Sequence, residues 1–248
     1  MAIPALPLVG VGFLLTQVLR AAHRSDLPSF PNQDPSGTFG DPALPPLRIV
    51  AVGDSSITAP GVERLDNTWI RRVALTYADR HHVELVCLAV GGSKAHDVIE
   101  GQLAEAVRLE PDIAVVSVGA NDAIRGVTIR RFQRNLDYIL TRLERVSGGI
   151  VVYGMGDLGS IPRLPGPLRP YLTHRSRIFN DAAREVTLRH PTAVKVWTLG
   201  KVSTAFWGNL SLFTGDQFHA SDDGHAVFAE GALPAIEAAY RMALERRP

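Results

Sequence analysis

Three side chains carry the chemistry that this sequence most directly offers. Ser55, in "VGDSSIT", follows an apolar run and sits among small residues, and Asp216 and His219 stand three positions apart in "GDQFHASDDGH". A serine attacks an ester only when a base takes its proton and a third group orients that base. At a spacing of three, a carboxylate and an imidazole can meet on one turn. The carboxylate then holds one ring nitrogen and leaves the other to face a serine. By spacing alone, however, the pair reads as a loop histidine ahead of a Ser221 or Asp222 helix cap.

Other chemistries fit less well. "GMGDLG", Gly154 to Gly159, is a literal G-x-G-x-x-G after a strand, but the dinucleotide fingerprint needs a helix to begin there. Pro162, Pro165, Pro167 and Pro170 follow, and no regular helix runs through them. There is no G-x-S-x-G elbow, S-x-x-K, H-E-x-x-H or P-loop. Cys87 is the only cysteine, so an intrachain disulfide and a cysteine-based zinc site are excluded. Its setting in "ELVCLAV" reads as a buried strand with no chemical role. Asp216, His219, Asp222, Asp223 and His225 cluster in sequence, but no second ligand group stands elsewhere, so no metal and no cofactor are assigned. His96 and His225 read as helix-end or surface histidines. Asp54 and Asp122 read as turn residues that bond nearby backbone N–H groups and support the site.

The elements that must position these residues are legible from hydrophobic pattern. Candidate strands are 47–52, 83–90, 113–118, 149–153 and 193–197, each apolar on both faces as central parallel strands are. Between them Ile129, Phe132, Leu136, Ile139, Leu140 and Leu143 recur at helical spacing, as do Ile99, Leu103, Ala106 and Val107, and Ile178, Phe179, Ala182, Ala183 and Val186. Strand then helix, five times over, predicts an α/β fold with a parallel sheet covered on both faces. Ligands in such folds bind beyond the carboxyl ends of the strands. Four strands end there in glycine-rich turns, "GDSS", "GGSK", "GAND" and "GMGDLG". With 26 Lys plus Arg against 25 Asp plus Glu, charge gives no argument for nucleic acid, and Arg130, Arg131 and Arg134 read as the wet face of a helix.

Taken together, "GDS" after the first strand, a glycine after the second, "GAND" after the third and "DQFH" before the last helix resemble the SGNH or GDSL hydrolase superfamily. The resemblance runs from Leu47 to the C-terminus. It implies a flavodoxin-like three-layer α/β/α sandwich on a five-stranded parallel sheet, and a serine hydrolase of carboxylic esters working through an acyl-enzyme without a cofactor. It implies Ser55 as nucleophile, His219 as base and Asp216 as its orienter. The oxyanion donors would be the Ser55 and Gly92 backbone N–H groups and the Asn121 amide. Ser56 stands where leucine is usual, Cys87 where asparagine is often found, and Gly91 directly precedes Gly92. An acyltransferase on the same residues, and an idle binding protein, remain as alternatives.

The expected substrate is a small-molecule ester, of a lipid or an acylated glycan. "SIPRLPGPLRPYL" is expected as a non-helical rim after the fourth strand, and Phe206, Trp207, Leu210, Leu212 and Phe213 either as an acyl lining or as core. Residues 25–46, rich in proline, read as a linker between residues 1–24 and the hydrolase domain of residues 47–248. Residues 3–19 are apolar except for Thr16 and Gln17, and basic residues follow. That order suits neither a secretory signal nor its cleavage site. Its length is marginal for a span, so membrane association is expected, with cytoplasmic or secreted placement as alternatives.

Overall fold

The computed structural model of the protein describes Thr16 and residues 26–246. The expected anchor of residues 3–19 therefore lies, Thr16 aside, outside the described residues. Among those residues no helix is long and apolar enough to cross a membrane.

The sheet has six strands: Gly37–Phe39 (β1), Pro46–Gly53 (β2), His82–Cys87 (β3), Ile113–Ser117 (β4), Gly149–Tyr153 (β5) and Ala193–Val196 (β6). Their order is β1-β3-β2-β4-β5-β6. The last five pair in parallel, as the apolar runs predict, while β1 adds an antiparallel edge strand against β3. The sheet is thus one strand larger than expected, and the extra strand comes from the proline-rich stretch. That stretch packs onto the domain. Cys87 N–H donates to Ser36 Oγ at 2.9 Å, and the Arg71 guanidinium donates to the Pro35 and Ser36 carbonyls.

Alternation along β2 shows why the sheet is covered twice. Val50 and Val52 face one way, into a core shared with Ala95–Gly101 (α3), Leu103–Arg108 (α4), Ile129–Glu144 (α6) and Arg169–Thr187 (α7). Leu47, Ile49 and Ala51 face the other way, onto Trp69–Leu75 (α2) and Asp222–Arg246 (α9). Successive side chains on a strand point to opposite faces, so an all-apolar strand needs a helix layer on each side. Helix α6 buries Phe132, Leu136, Ile139, Leu140 and Leu143, and leaves Arg130, Arg131 and Arg134 in water. Helix α7 begins earlier than its apolar repeat suggests, inside the proline-rich rim, because Pro170 falls in its first turn, where a missing N–H breaks no helical bond.

Short helices Ser55–Thr58 (α1), Ala120–Ile124 (α5) and Lys201–Phe206 (α8) complete the elements at the carboxyl end of the sheet. The chain leaves β2 toward β3 on one side and returns to β4 on the other, so strand order reverses between β2 and β4. That reversal opens a crevice at their carboxyl ends. Phe132 lies against Phe179 with ring centroids 4.9 Å apart and is almost wholly buried. Phe132→Ala is expected to lower unfolding free energy by about 3–5 kcal/mol, read from urea denaturation. A loss below about 1 kcal/mol would contradict this packing.

Candidate active site

The carboxyl end of β2 meets that of β4 very closely. Gly53 has φ +152°, and a Cβ there would lie 2.0 Å from the Ser117 carbonyl oxygen, so only glycine fits. Its N–H donates to Gln102 Oε1 at 2.7 Å, and its carbonyl accepts from Gln102 Nε2 at 3.0 Å. One buried amide thus satisfies both backbone groups of the residue before the turn. The next residue, Asp54, caps α1: Oδ1 accepts the Ser56 N–H at 3.0 Å, and Oδ2 accepts the Asn121 amide at 3.3 Å. Burial pushes the Asp54 carboxyl up, against the pull of Ser56, Asn121 and the His219 charge.

Ser55 opens α1 and lines a cavity of about 140 Å³ together with Asn121 and His219. Ser56 also lines it, but its hydroxyl is engaged with Ser117 Oγ at 2.6 Å. The Ser55 hydroxyl makes no hydrogen bond among the described residues, to His219 or to any other group; such bonds are often loose in unliganded sites. Gly92 has φ +82° in the loop after β3, beside the Arg125 guanidinium, and is not one of the cavity-lining residues. Asp122 lies behind Asn121, fully buried, where Oδ2 accepts the Ala95 N–H at 2.9 Å. Burial, with Asp54 adding repulsion, pushes its carboxyl up to about 6.

A tight loop presents His219 to the same cavity. The bridge Phe213↔Ala220 closes it, Thr214 N–H donates to the His219 carbonyl at 2.8 Å, and Gln217 takes a left-handed φ of +58°. His219 Nδ1 meets Asp216 Oδ2 at 2.6 Å. Asp216 Oδ1 accepts Thr214 Oγ1 and the Phe218 and His219 N–H groups, so four donors converge on one buried carboxylate. Burial alone would raise this carboxyl. The His219 ring and backbone, with the Phe218 N–H, outweigh it and hold Asp216 below the usual carboxylate range. The pair is therefore a fixed structural unit, and the helix-cap reading of it is only half the account: Ser221 does cap α9, its Oγ accepting the Gly224 N–H at 3.3 Å.

One expectation changes, although His225 does stand at a helix end. His225 is not a surface histidine: it is 2% exposed and lines the cavity, and its Nδ1 accepts the Trp69 N–H at 3.2 Å. Asp222 spends its oxygens on Glu63 N–H and Asn67 Nδ2, away from Asp216. Among the described residues no group of three or more His, Cys, Asp or Glu is placed to hold a metal. Of the aromatic stretch, Phe206 and Phe213 are both buried and cavity-lining, whereas Trp207 and Leu210 are exposed. Burial pushes the Cys87 thiol up to about 12, which suits an inert strand residue. Gln102, Ser117, Thr214 and Trp69 were not legible as site residues, because each acts across a long chain separation or through a loop bond that no motif marks.

A model of the GDSL-like lipase/acylhydrolase family matches residues 51–227. The chain belongs to that family. As a GDSL-like acylhydrolase it is an esterase-type hydrolase. No curated protein matches it in sequence. Among solved structures it is similar to TesA, at 18% identity and TM-score 0.64, over 77% of this chain and 98% of that one. The acetylxylan esterase Axe2 of Geobacillus stearothermophilus is 13% identical with TM-score 0.63, over 80% and 95%. The psychrotrophic esterase EstA of a Pseudoalteromonas species is 17% identical with TM-score 0.60, over 77% and 96%. At these identities the likeness is one of fold.

The Asp216 carboxylate gives a pH signature to the family member. Its folded pKa lies below the unfolded value of about 3.9, so its contribution is complete above that value and is lost as pH falls through the folded pKa. Asp216→Asn is expected to cost about 2 kcal/mol at pH 7, and the gap from wild type should narrow as pH is lowered below about 4. Urea denaturation across that range measures it; a gap that stays constant would detach the effect from the carboxylate.

Proposed function

We propose that this hydrolase cleaves carboxylic esters by two-step acyl transfer, with Ser55 as nucleophile, His219 as base and Asp216 as orienter. The observation that carries the reading is the Asp216-held imidazole in the same cavity that Ser55 and Asn121 line. In the first step Ser55 Oγ attacks the carbonyl carbon while His219 Nε2 takes the hydroxyl proton. The tetrahedral intermediate collapses, the C–O bond to the alcohol breaks, and His219 returns the proton to the departing oxygen. Water then attacks the acyl-enzyme with His219 again as base, releasing the acid and the Ser55 hydroxyl.

Negative charge grows on the carbonyl oxygen in both steps, and fixed donors aimed at it lower the barrier. The Ser55 N–H and the Asn121 amide are the donors at the cavity, and Asp54 orients the amide by accepting one of its hydrogens. Gly92 stands outside the cavity lining, so the reading rests less on it. A separate bond to Asp54 supports Ser55 over Ser56: the Ser56 N–H and hydroxyl are both spent, on Asp54 Oδ1 and Ser117.

The apolar part of the cavity lining supports an acyl side of modest length. Phe206, Phe213, Phe218, Phe228, Leu158 and Ile161 belong to it. A dry apolar cavity of about 150 Å³ admits benzene, so one of about 140 Å³ has room for a short acyl chain rather than a long one. Axe2, by its name an acetylxylan esterase, shares the fold, and an acetyl group would leave part of this cavity for a longer chain.

Intact-mass analysis of the full chain after a fluorophosphonate tests the nucleophile. One adduct on wild type and on Ser56→Ala, and none on Ser55→Ala, is the expected result; adduct that follows Ser56 moves the site by one residue, and none on folded wild type overturns the reading. Asn121→Ala is expected to lower kcat on p-nitrophenyl butyrate by about 10²–10³-fold with little change in KM. A loss confined to KM would remove Asn121 from transition-state stabilisation.

A further inference from the structure

The cavity contains a buried polar group whose second polar atom is used neither by the fold nor by acyl transfer. His225, in the first turn of α9, is 2% exposed and lines the same cavity as Ser55. Its Nδ1 accepts a backbone N–H, that of Trp69 at 3.2 Å. A backbone N–H can only donate, so Nδ1 carries no proton and the neutral ring carries its proton on Nε2. Burial pushes this imidazole down to about 3, so it stays neutral and keeps that tautomer at working pH.

No hydrogen bond among the described residues uses Nε2. The neighbouring hydroxyls are different, because the fold has already claimed them. Tyr153 donates to the Phe228 carbonyl at 3.2 Å, Ser203 to the Thr198 carbonyl at 2.6 Å, and Ser160 to the Asp157 carbonyl at 2.7 Å. Ser56 and Ser117 bond each other. Nε2 is not among the fully enclosed atoms that lack a partner, so this unclaimed donor opens onto the cavity, where a ligand atom can meet it.

The ring is also held in place relative to the nucleophile. Trp69 grips His225 through its backbone N–H and α1 through its indole, which donates to the Ser56 carbonyl at 2.8 Å. Phe228 stands edge-on to the His225 ring at 5.6 Å and stacks on Phe206 at 5.1 Å, so the donor is set into the aromatic wall assigned to the acyl chain. We infer that His225 Nε2–H is a substrate-binding donor in the acyl pocket, selecting esters whose acyl chain carries an oxygen, as in hydroxyacyl esters. This rests on the acyl-transfer reading above and adds the substrate class to it.

The test compares kcat/KM for p-nitrophenyl 3-hydroxybutyrate and p-nitrophenyl butyrate, each divided by its rate of alkaline hydrolysis. The leaving group is common to both, so the ratio reports the acyl side alone. Full-length wild type is expected to favour the hydroxy ester by about 5–10-fold, the worth of one neutral hydrogen bond. In His225→Phe the ratio should fall to about one, and His225→Gln, which keeps an N–H, should restore part of it. Wild type that favours the plain ester overturns the inference whatever the variants do. So does a ratio that His225→Phe leaves unmoved, the result expected if Nε2–H holds only a water or the ring only packs. Failure of wild type to turn over either ester or to take up the fluorophosphonate would instead overturn the acyl-transfer reading itself, and this inference with it.

Discussion

Where β2 ends, Gly53 must pass against the backbone of β4 with both of its own peptide groups cut off from water. This constraint governs the site. A side chain there would strike the Ser117 carbonyl, and an unpaired N–H or C=O would cost about as much as a large share of the net stability of a domain. Gln102, reaching up from the start of α4, answers both peptide groups at once. Only with that crossing secure can the chain turn sharply enough for Asp54 to cap α1 and for Ser55 to open it. The position of Ser55 is therefore set by a backbone contact between two strands, and only indirectly by its own neighbours.

The two walls of the cavity are organised on opposite principles. On the α1 side, charge is buried at a cost: Asp54 and Asp122 lie close together behind Asn121, and both carboxyls are pushed up. On the loop side, Asp216 gathers enough donors to remain ionised despite burial. An anion beside the imidazole and reluctant carboxyls behind the amide make a gradient across a few residues.

Much of this could be read in the chain because the central strands are apolar on both faces and end in glycine. "IVAVGDS" and "IAVVSVGAND" announce strand, turn and site in one breath. Residues whose task depends on a distant partner gave no such signal. Nothing in "DDGH" tells that His225 will be buried under a backbone N–H 156 positions away, and nothing in "EGQLAE" tells that Gln102 will hold Gly53. Gly92 shows the converse. Its place in the order of motifs was clear, while its distance from the cavity depends on how the loop after β3 lies beside Arg125. Strand β1 was hidden because three residues between prolines carry no period at all.

That short strand has a bearing on how molecules of this enzyme meet one another in solution. Without it β3 would offer a bare row of peptide groups at the margin of a largely apolar sheet, the kind of surface on which another chain can add itself. Gly37–Phe39 occupies the row, and Pro35 and Pro42 on its flanks leave too little regular backbone for a further strand to extend the ladder. The same arm then continues to the active-site side, where Asn32 accepts the Thr58 hydroxyl and Gln33 bonds the Thr58, Ala59 and Val62 backbone at the end of α1. One proline-studded arm thus covers the margin of the sheet at its strand and braces the end of α1 at its other end.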